Sequence, residues 1–203
     1  MKLYYSPGAC SLAPHILLRE TGLAFALERV DTSTHRTEGG ADFFALNPKG
    51  QVPLIEDADR QRLSEGPVIA QYIAERAGRA DLLPDAGTMA RYRVMEWQNY
   101  ITSELHKTFT PLFNPAIGAD AKAEFRAALA KKFAWVSSQL QGRAYLTGKD
   151  FTVADAYLFT VARWSQFVAL DLTDLEPLQA YLARIAERPA VREAMRSEGL
   201  LGK

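Results

Sequence analysis

Cys10 is the one thiol in 203 residues, and it stands in Pro7-Gly8-Ala9-Cys10-Ser11, between a strand-like run and a helical one. At the start of a helix the first backbone N–H groups have no intrahelical partner and the dipole favours negative charge, so a thiolate is stabilised there. The same residues read equally as a small buried apolar side chain followed by an ordinary serine N-cap. With no second cysteine, neither a disulfide framework nor a Cys-x-x-Cys pair exists, and redox work at Cys10 needs a thiol from outside the chain.

Three other stretches carry polar groups in useful places. Val52-Pro53 follows a turn where a strand should begin, and a proline cannot donate to a sheet ladder. A cis bond there directs the N–H and C=O of Val52 outward, free to pair with an extended peptide; a trans proline at a sheet edge is the plainer alternative. Glu65-Gly66-Pro67 opens another helix, whose N-terminus accepts a carboxylate while Glu65 pairs with an ammonium, although a first-turn glutamate also simply suits the helix dipole. Asn99, Ser103 and His106, spaced by four and three residues, share one polar face of a long helix, with Trp97, Ile101 and Leu105 elsewhere around it. A solvated helix face is the bland reading of that stripe.

The elements that must position these groups change character along the chain. Leu3 to Tyr5 and Phe25 to Val30 read as strands flanking a helix from Ser11 to Glu20 stopped by Gly22, a βαβ pattern. Asp42 to Leu46 reads as a short helix, Asn47-Pro48-Lys49-Gly50 as a turn, and Val52 to Glu56 with Arg62 to Ser64 as a hairpin. Pro67 suits the first turn of a helix running through Ile73. Residues 1–80 thus form an α/β domain and 81–88 a linker. From Met89 to residue 203 the pattern is helical, over Met89 to Phe109, Ala121 to Leu140, Val153 to Val168 and Pro177 to Ala186, with breaks at Pro111, Pro115, Gly142, Gly148 and Pro189. Thr152-Val153-Ala154-Asp155 is a capping box, and core packing is the first expectation for Tyr157 and Trp164.

Composition excludes several functions. Lysine plus arginine and aspartate plus glutamate number 24 each, leaving no basic surplus for nucleic acid. Hydrophobic residues make up 48%, enough for a buried core, yet no run is apolar enough to span a bilayer. The chain enters Lys2-Leu3-Tyr4-Tyr5 without a basic leader, and the expected location is cytosolic.

Taken together, Tyr5 to Leu12, Asn47 to Pro53, Glu65-Gly66 with Ile69 to Ile73, Glu104 to Lys107 and Phe151 to Phe159 resemble beta-class bacterial glutathione S-transferases over the whole chain. The resemblance implies a thioredoxin-like N-terminal domain followed by an all-α domain carrying the electrophile pocket, and a homodimer. It implies catalytic roles for Cys10 and His106, with Cys10 beside the glutathione sulfur and able to form a mixed disulfide with it. Tyr5, His35, Val52, Glu65, Gly66, Asn99, Ser103 and Lys107 would be further glutathione contacts, Val52 through its backbone and Glu65 with Gly66 at the γ-glutamyl end. His35 departs from the family, whose members often carry lysine there; a neutral imidazole holds the glycine carboxylate less firmly, and weaker binding is expected. The reaction implied is attack of the glutathione thiolate on an apolar electrophile, with glutathione as co-substrate and neither metal nor other cofactor. The alternatives are a glutathione-dependent disulfide reductase or peroxidase working through Cys10, and a non-enzymatic ligand-binding relative.

Overall fold

Leu3 and Tyr4 are neighbours in sequence and both almost fully buried, so the strand that carries them is covered on both faces. In the computed structural model, which describes residues 1–201, this strand is the centre of a five-stranded mixed sheet. The strands are β1 (Lys2–Tyr5), β2 (Ala26–Asp31), β3 (Arg36–Thr37), β4 (Leu54–Glu56) and β5 (Arg62–Ser64), in the order β3-β2-β1-β4-β5. β1 pairs in parallel with β2 across helix α1 (Leu12–Thr21), which confirms the βαβ unit. The other pairings are antiparallel, including the expected hairpin of β4 and β5.

Register assigns the faces. Tyr4 lies opposite Leu54 and Leu3 opposite Ile55, so the two pairs point to opposite sides of the sheet. Tyr4 and Leu54 pack with Val30 and with Phe43 of the short helix α2 (Phe43–Leu46), which starts from an Asp42 side-chain cap. Helix α1 buries Leu12, Ile16, Leu17 and Leu18, and packs against α3 (Gly66–Arg76), which buries Ile69 and Ile73. Fully burying a leucine or isoleucine contributes about 1.5–3 kcal/mol, so this layer fixes where α1 begins and hence where Cys10 stands. Gly22 ends α1 in the left-handed conformation, as expected of a C-cap glycine.

Two boundaries differ from the expected division at 80, 81–88 and 89–203. The chain forms one unit from residues 1–80 plus the segment from Glu187 onward, and a second from Asp81–Ala186. Pro189, expected to break structure, instead opens helix α9 (Pro189–Ser197), whose Val191, Ala194 and Met195 are buried and which packs on α1. The stretch expected as a linker is anchored in the second unit, with Leu82 and Leu83 buried and the Leu82 carbonyl accepting from Val153 N–H at 3.0 Å.

The second unit is helical, as expected: α4 (Met89–Tyr100), a π-helical segment (Ile101–His106), α5 (Lys107–Phe113), α6 (Ala119–Leu140), α7 (Val153–Ala162) with a 3₁₀ turn (Arg163–Phe167), and α8 (Glu176–Ala186). Every residue of α7 is buried, as befits the central helix of a bundle. Its capping box is built as read: Asp155 Oδ2 accepts Thr152 N–H and Oγ1–H, each at 2.8 Å. Oδ1 also accepts Leu146 N–H at 2.9 Å and Tyr181 O–H at 3.0 Å. Burial pushes the Asp155 carboxyl up against the opposing pull of these four donors. Pro111 does not break its helix, which runs on to Phe113, although the proline has no N–H to give the Lys107 carbonyl. No helix among the described residues is long and apolar enough to cross a membrane.

Candidate active site

The Cys10 loop is held from both ends. Ser11 lies fully buried at the N-cap position of α1, but its backbone is already helical and its hydroxyl does not cap the helix. It turns back, accepting Ser6 N–H at 3.1 Å and donating to the Ser6 carbonyl at 3.2 Å, so it closes the loop from residue 6 to 11. Gly8 takes φ +72°, a left-handed conformation that favours glycine, and donates its N–H to Glu198 Oε2 at 2.9 Å. The other Glu198 oxygen lies 2.8 Å from His15 Nδ1 on α1, and both side chains are fully buried. Because Arg19 Nε can only donate, its 3.4 Å contact makes His15 Nε2 an acceptor and leaves Nδ1 to carry the proton given to Glu198.

Cys10 is half-buried, and its Sγ–H donates to the Val52 carbonyl at 3.3 Å. The expected thiolate is not what this geometry favours. Burial pushes the thiol up to about 12, outweighing the N–H groups of Cys10 and Ser11 that pull the other way, and the Glu65 charge adds to the rise. A thiol with that value stays protonated near neutral pH. The Val52–Pro53 peptide is cis, the arrangement weighed from the sequence, and the Val52 carbonyl is occupied by Cys10 while its N–H makes no hydrogen bond among the described residues. Gly66 sits beside Pro53, since a β-carbon on it would lie 3.8 Å from the proline ring.

Glu65 precedes α3 at φ +72°, a conformation side chains rarely adopt, and its carboxylate is exposed. The ammonium expected opposite it is already supplied from within the chain: Lys49 Nζ reaches Glu65 Oε1 at 2.5 Å and Ser64 Oγ at 2.7 Å. Nothing in the sequence reading singled out Lys49; the signal was its place in the Asn47–Gly50 turn opposite β5, which brings a long cation to the hairpin end. Asn47 holds that turn, donating from its side chain to the Gln51 carbonyl at 2.7 Å.

His35 is also at positive φ, +52°, and its ring stacks on Phe44 with centroids 4.3 Å apart. Its Nδ1 is buried without a hydrogen-bond partner among the described residues. A β-carbon on Gly50 would come within 3.0 Å of that nitrogen and 2.5 Å of Phe44, so the glycine is what lets the ring lie there. Tyr5, at the end of β1, is half-buried with its ring 6.1 Å from that of His15, and burial holds its phenol in the protonated, donating form.

In the helical unit the expected polar face divides. Asn99, Ser103 and Lys107 are exposed, with Ser103 Oγ donating to the Asn99 carbonyl at 3.1 Å. His106 is half-buried, its Nδ1 2.7 Å from Tyr157 Oη and its ring edge-on to Trp164 at 4.7 Å. The division has a physical cause: residues 101–106 form a π turn, which offsets the 3.6-residue register that the four-and-three spacing assumed. Tyr157 and Trp164 are themselves almost fully buried, in line with core packing.

Family models named Glutathione S-transferase, N-terminal domain, and Glutathione S-transferase, C-terminal domain, match residues 8–76 and 100–189. Among curated proteins, Glutathione S-transferase GstA of Escherichia coli O157:H7 is 49% identical over 98% of this chain and 100% of its own length. Among solved structures, a sphingomonad glutathione S-transferase complexed with glutathione superposes with a TM-score of 0.95 at 42% identity, covering 99% of this chain and all of that one. A bacterial beta-class glutathione S-transferase of Sphingomonas chungbukensis gives 0.96 at 42% identity, with coverage of 99% and 100%.

Proposed function

This chain belongs to the beta-class bacterial glutathione S-transferases, and on that premise we propose that it joins the sulfur of glutathione to apolar electrophiles with the tripeptide laid along Val52. The observation that carries the placement is the Cys10–Val52 contact. It sets a protonated thiol 3.3 Å from a backbone carbonyl whose own residue has an N–H unpaired among the described residues, beside the N-terminus of α3. An extended peptide bonds to such an edge through its main chain.

In this reading the glutathione thiol loses its proton to solvent, and the thiolate attacks the electrophilic carbon. A carbon–sulfur bond forms and the leaving group departs with its electron pair. Cys10 acts as a neutral donor toward that sulfur, because its own ionisation is suppressed by burial. Glu65 exchanges Lys49 for the ligand ammonium, Gly66 offers a backbone N–H at the helix start, and Tyr5 donates its hydroxyl. His35 donates a ring N–H to the glycine carboxylate. On the resemblance alone, Asn99, Ser103, His106 and Lys107 are further glutathione contacts. We read the location as cytoplasmic and the assembly as a homodimer. The dimer has local support in Met89, Tyr92 and Met95, exposed large apolar side chains spaced along one side of α4.

Calorimetry with reduced glutathione tests the placement, expecting saturable binding below millimolar concentration that a Val52→Pro change, which deletes the N–H, abolishes. Unaltered binding in that variant would overturn it. Cys10→Ala then separates the chemistries: conjugation of 1-chloro-2,4-dinitrobenzene should persist, whereas reduction of a glutathione mixed disulfide should vanish if Cys10 is a redox thiol.

A further inference from the structure

Lys132 of α6 spends its whole ammonium on one turn of the chain packed beside it. It donates to the Glu104 carbonyl at 2.9 Å and to Thr108 Oγ1 at 3.1 Å, and lies 2.9 Å from Glu104 Oε2. An ammonium has three N–H groups, and these contacts use them all. Thr108 completes the knot by donating its hydroxyl to the same Glu104 carbonyl at 2.7 Å. The hydrogen bond and charge of Lys132 hold the Glu104 carboxyl below the usual carboxylate range. An ion pair between side chains 28% and 46% exposed contributes little by itself. A main-chain carbonyl accepting from a cation is the stronger hold, and it acts on the backbone.

The turn so gripped is the irregular one. Between α4 and α5 the backbone widens to a π-helix over Ile101–His106, where Lys107 N–H reaches back to the Thr102 carbonyl, one residue further than an α-helix allows. The extra residue rotates the side chains beyond it by about 100° relative to a continuous α-helix. His106 ends this turn, halfway between Glu104 and Thr108. Those two face α6 and Lys132, whereas the His106 ring is directed the other way, 2.7 Å from Tyr157 Oη and edge-on to Trp164. The clamp therefore flanks His106 on both sides, from the opposite face of the helix.

We propose that Lys132 is a positioning residue for the transferase reaction. By fastening Glu104 and Thr108 to α6 it holds the π turn open and keeps His106 turned toward Tyr157 and Trp164, the orientation in which His106 meets the tripeptide, this last step resting on the assignment of His106 to glutathione. A group held from behind in this way keeps its alignment when the ligand leaves, and small losses of alignment are costly in rate.

The test is Lys132→Met, which keeps an unbranched stem and good helix propensity but removes the three donors. The chain has three histidines, His15, His35 and His106, so nitrogen-15 NMR can follow each ring. The His106 signals should move in Lys132→Met while those of His15 and His35 stay. For conjugation of 1-chloro-2,4-dinitrobenzene, kcat/KM should fall about tenfold. In a His106→Ala background the same change should cost no more than about twofold, since nothing then remains to be positioned. Glu104→Gln, which removes the charge and keeps the carbonyl, should lose less than Lys132→Met. Thr108→Val deletes one acceptor and should move the His106 signals by a smaller amount, which keeps the test open should Lys132→Met not fold. Unmoved His106 signals in the folded variants, an equal loss of activity with and without His106, or a Glu104→Gln loss as large as that of Lys132→Met would overturn the proposal. The spectra need no glutathione, so the positioning role and the glutathione reading fail separately.

Discussion

Among the described residues each unit has one buried carboxylate, Glu198 in one and Asp155 in the other, and the two tie loops to helices in different ways. Asp155 gathers four donors, from Thr152, Leu146 and Tyr181, into one turn of the helical unit and touches none of the residues proposed to meet glutathione. Among the described residues Glu198 gathers Gly8 N–H and His15, yet one of these lies in the Cys10 loop and the other on the helix behind it. The first carboxylate holds up a scaffold and the second sets the shape of a site. A well-satisfied buried group is therefore no guide to function until the place its donors come from is known.

That contrast can be broken by experiment. Asp155→Ala leaves three residues with unpaired buried donors, and a loss of about 3 kcal/mol or more is expected in urea unfolding, with KM for glutathione unaltered in the protein that remains folded. Cys10 provides the next largest effect. With its thiol raised to about 12, alkylation by iodoacetamide at pH 7.5 should run a hundredfold or more slower than for free cysteine and climb with pH past 10. The linkage has a definite sign: the folded state holds the Cys10 proton more tightly than the unfolded one. The stability so gained is present below the unfolded value and is lost as pH rises from there toward 12. Fast alkylation at neutral pH would show that the loop opens readily, and the picture of a locked loop would fail.

Glu198→Gln is the sharper counterpart of the aspartate change. It keeps the shape but weakens both contacts, so about 1–2 kcal/mol of stability should go. KM for glutathione should also rise severalfold, the readout that Asp155→Ala leaves still. If both variants lost stability alone, the distinction between scaffold and site would collapse. The smallest effect belongs to Glu65→Gly. Removing a side chain from φ +72° should stabilise the protein by about 1 kcal/mol while glutathione affinity falls. A destabilised variant would mean the Lys49 ion pair outweighs the strain.

What could be read in advance was whatever is encoded within a few residues. Thr152-x-x-Asp155 declares a cap, Gly22 ends a helix, Asp57 to Asp59 bends a hairpin, and each holds in the structure. The two-residue strand β3 was missed because so short a run has no period to detect. Helix α9 was missed because Pro189 was weighed as a terminator and not as a first-turn residue. The π turn escaped because nothing in Ile101 to His106 distinguishes it from an ordinary helix. Candidate residues were placed by local motif, but the state of Cys10 depended on burial and on a carbonyl 42 residues away. The partners of Glu65 and Gly8 were likewise out of reach, the latter by 190 residues.

That last separation bears on the order in which the molecule can be finished. During synthesis the Gly8 loop emerges 190 residues ahead of its fastening, Glu198, so the sheet and α1 can form early while the loop beside Cys10 stays loose. A nascent chain stalled beyond β5 and α3 but short of residue 198 would display folded strands and an unset thiol loop, and competence would arrive in one late step.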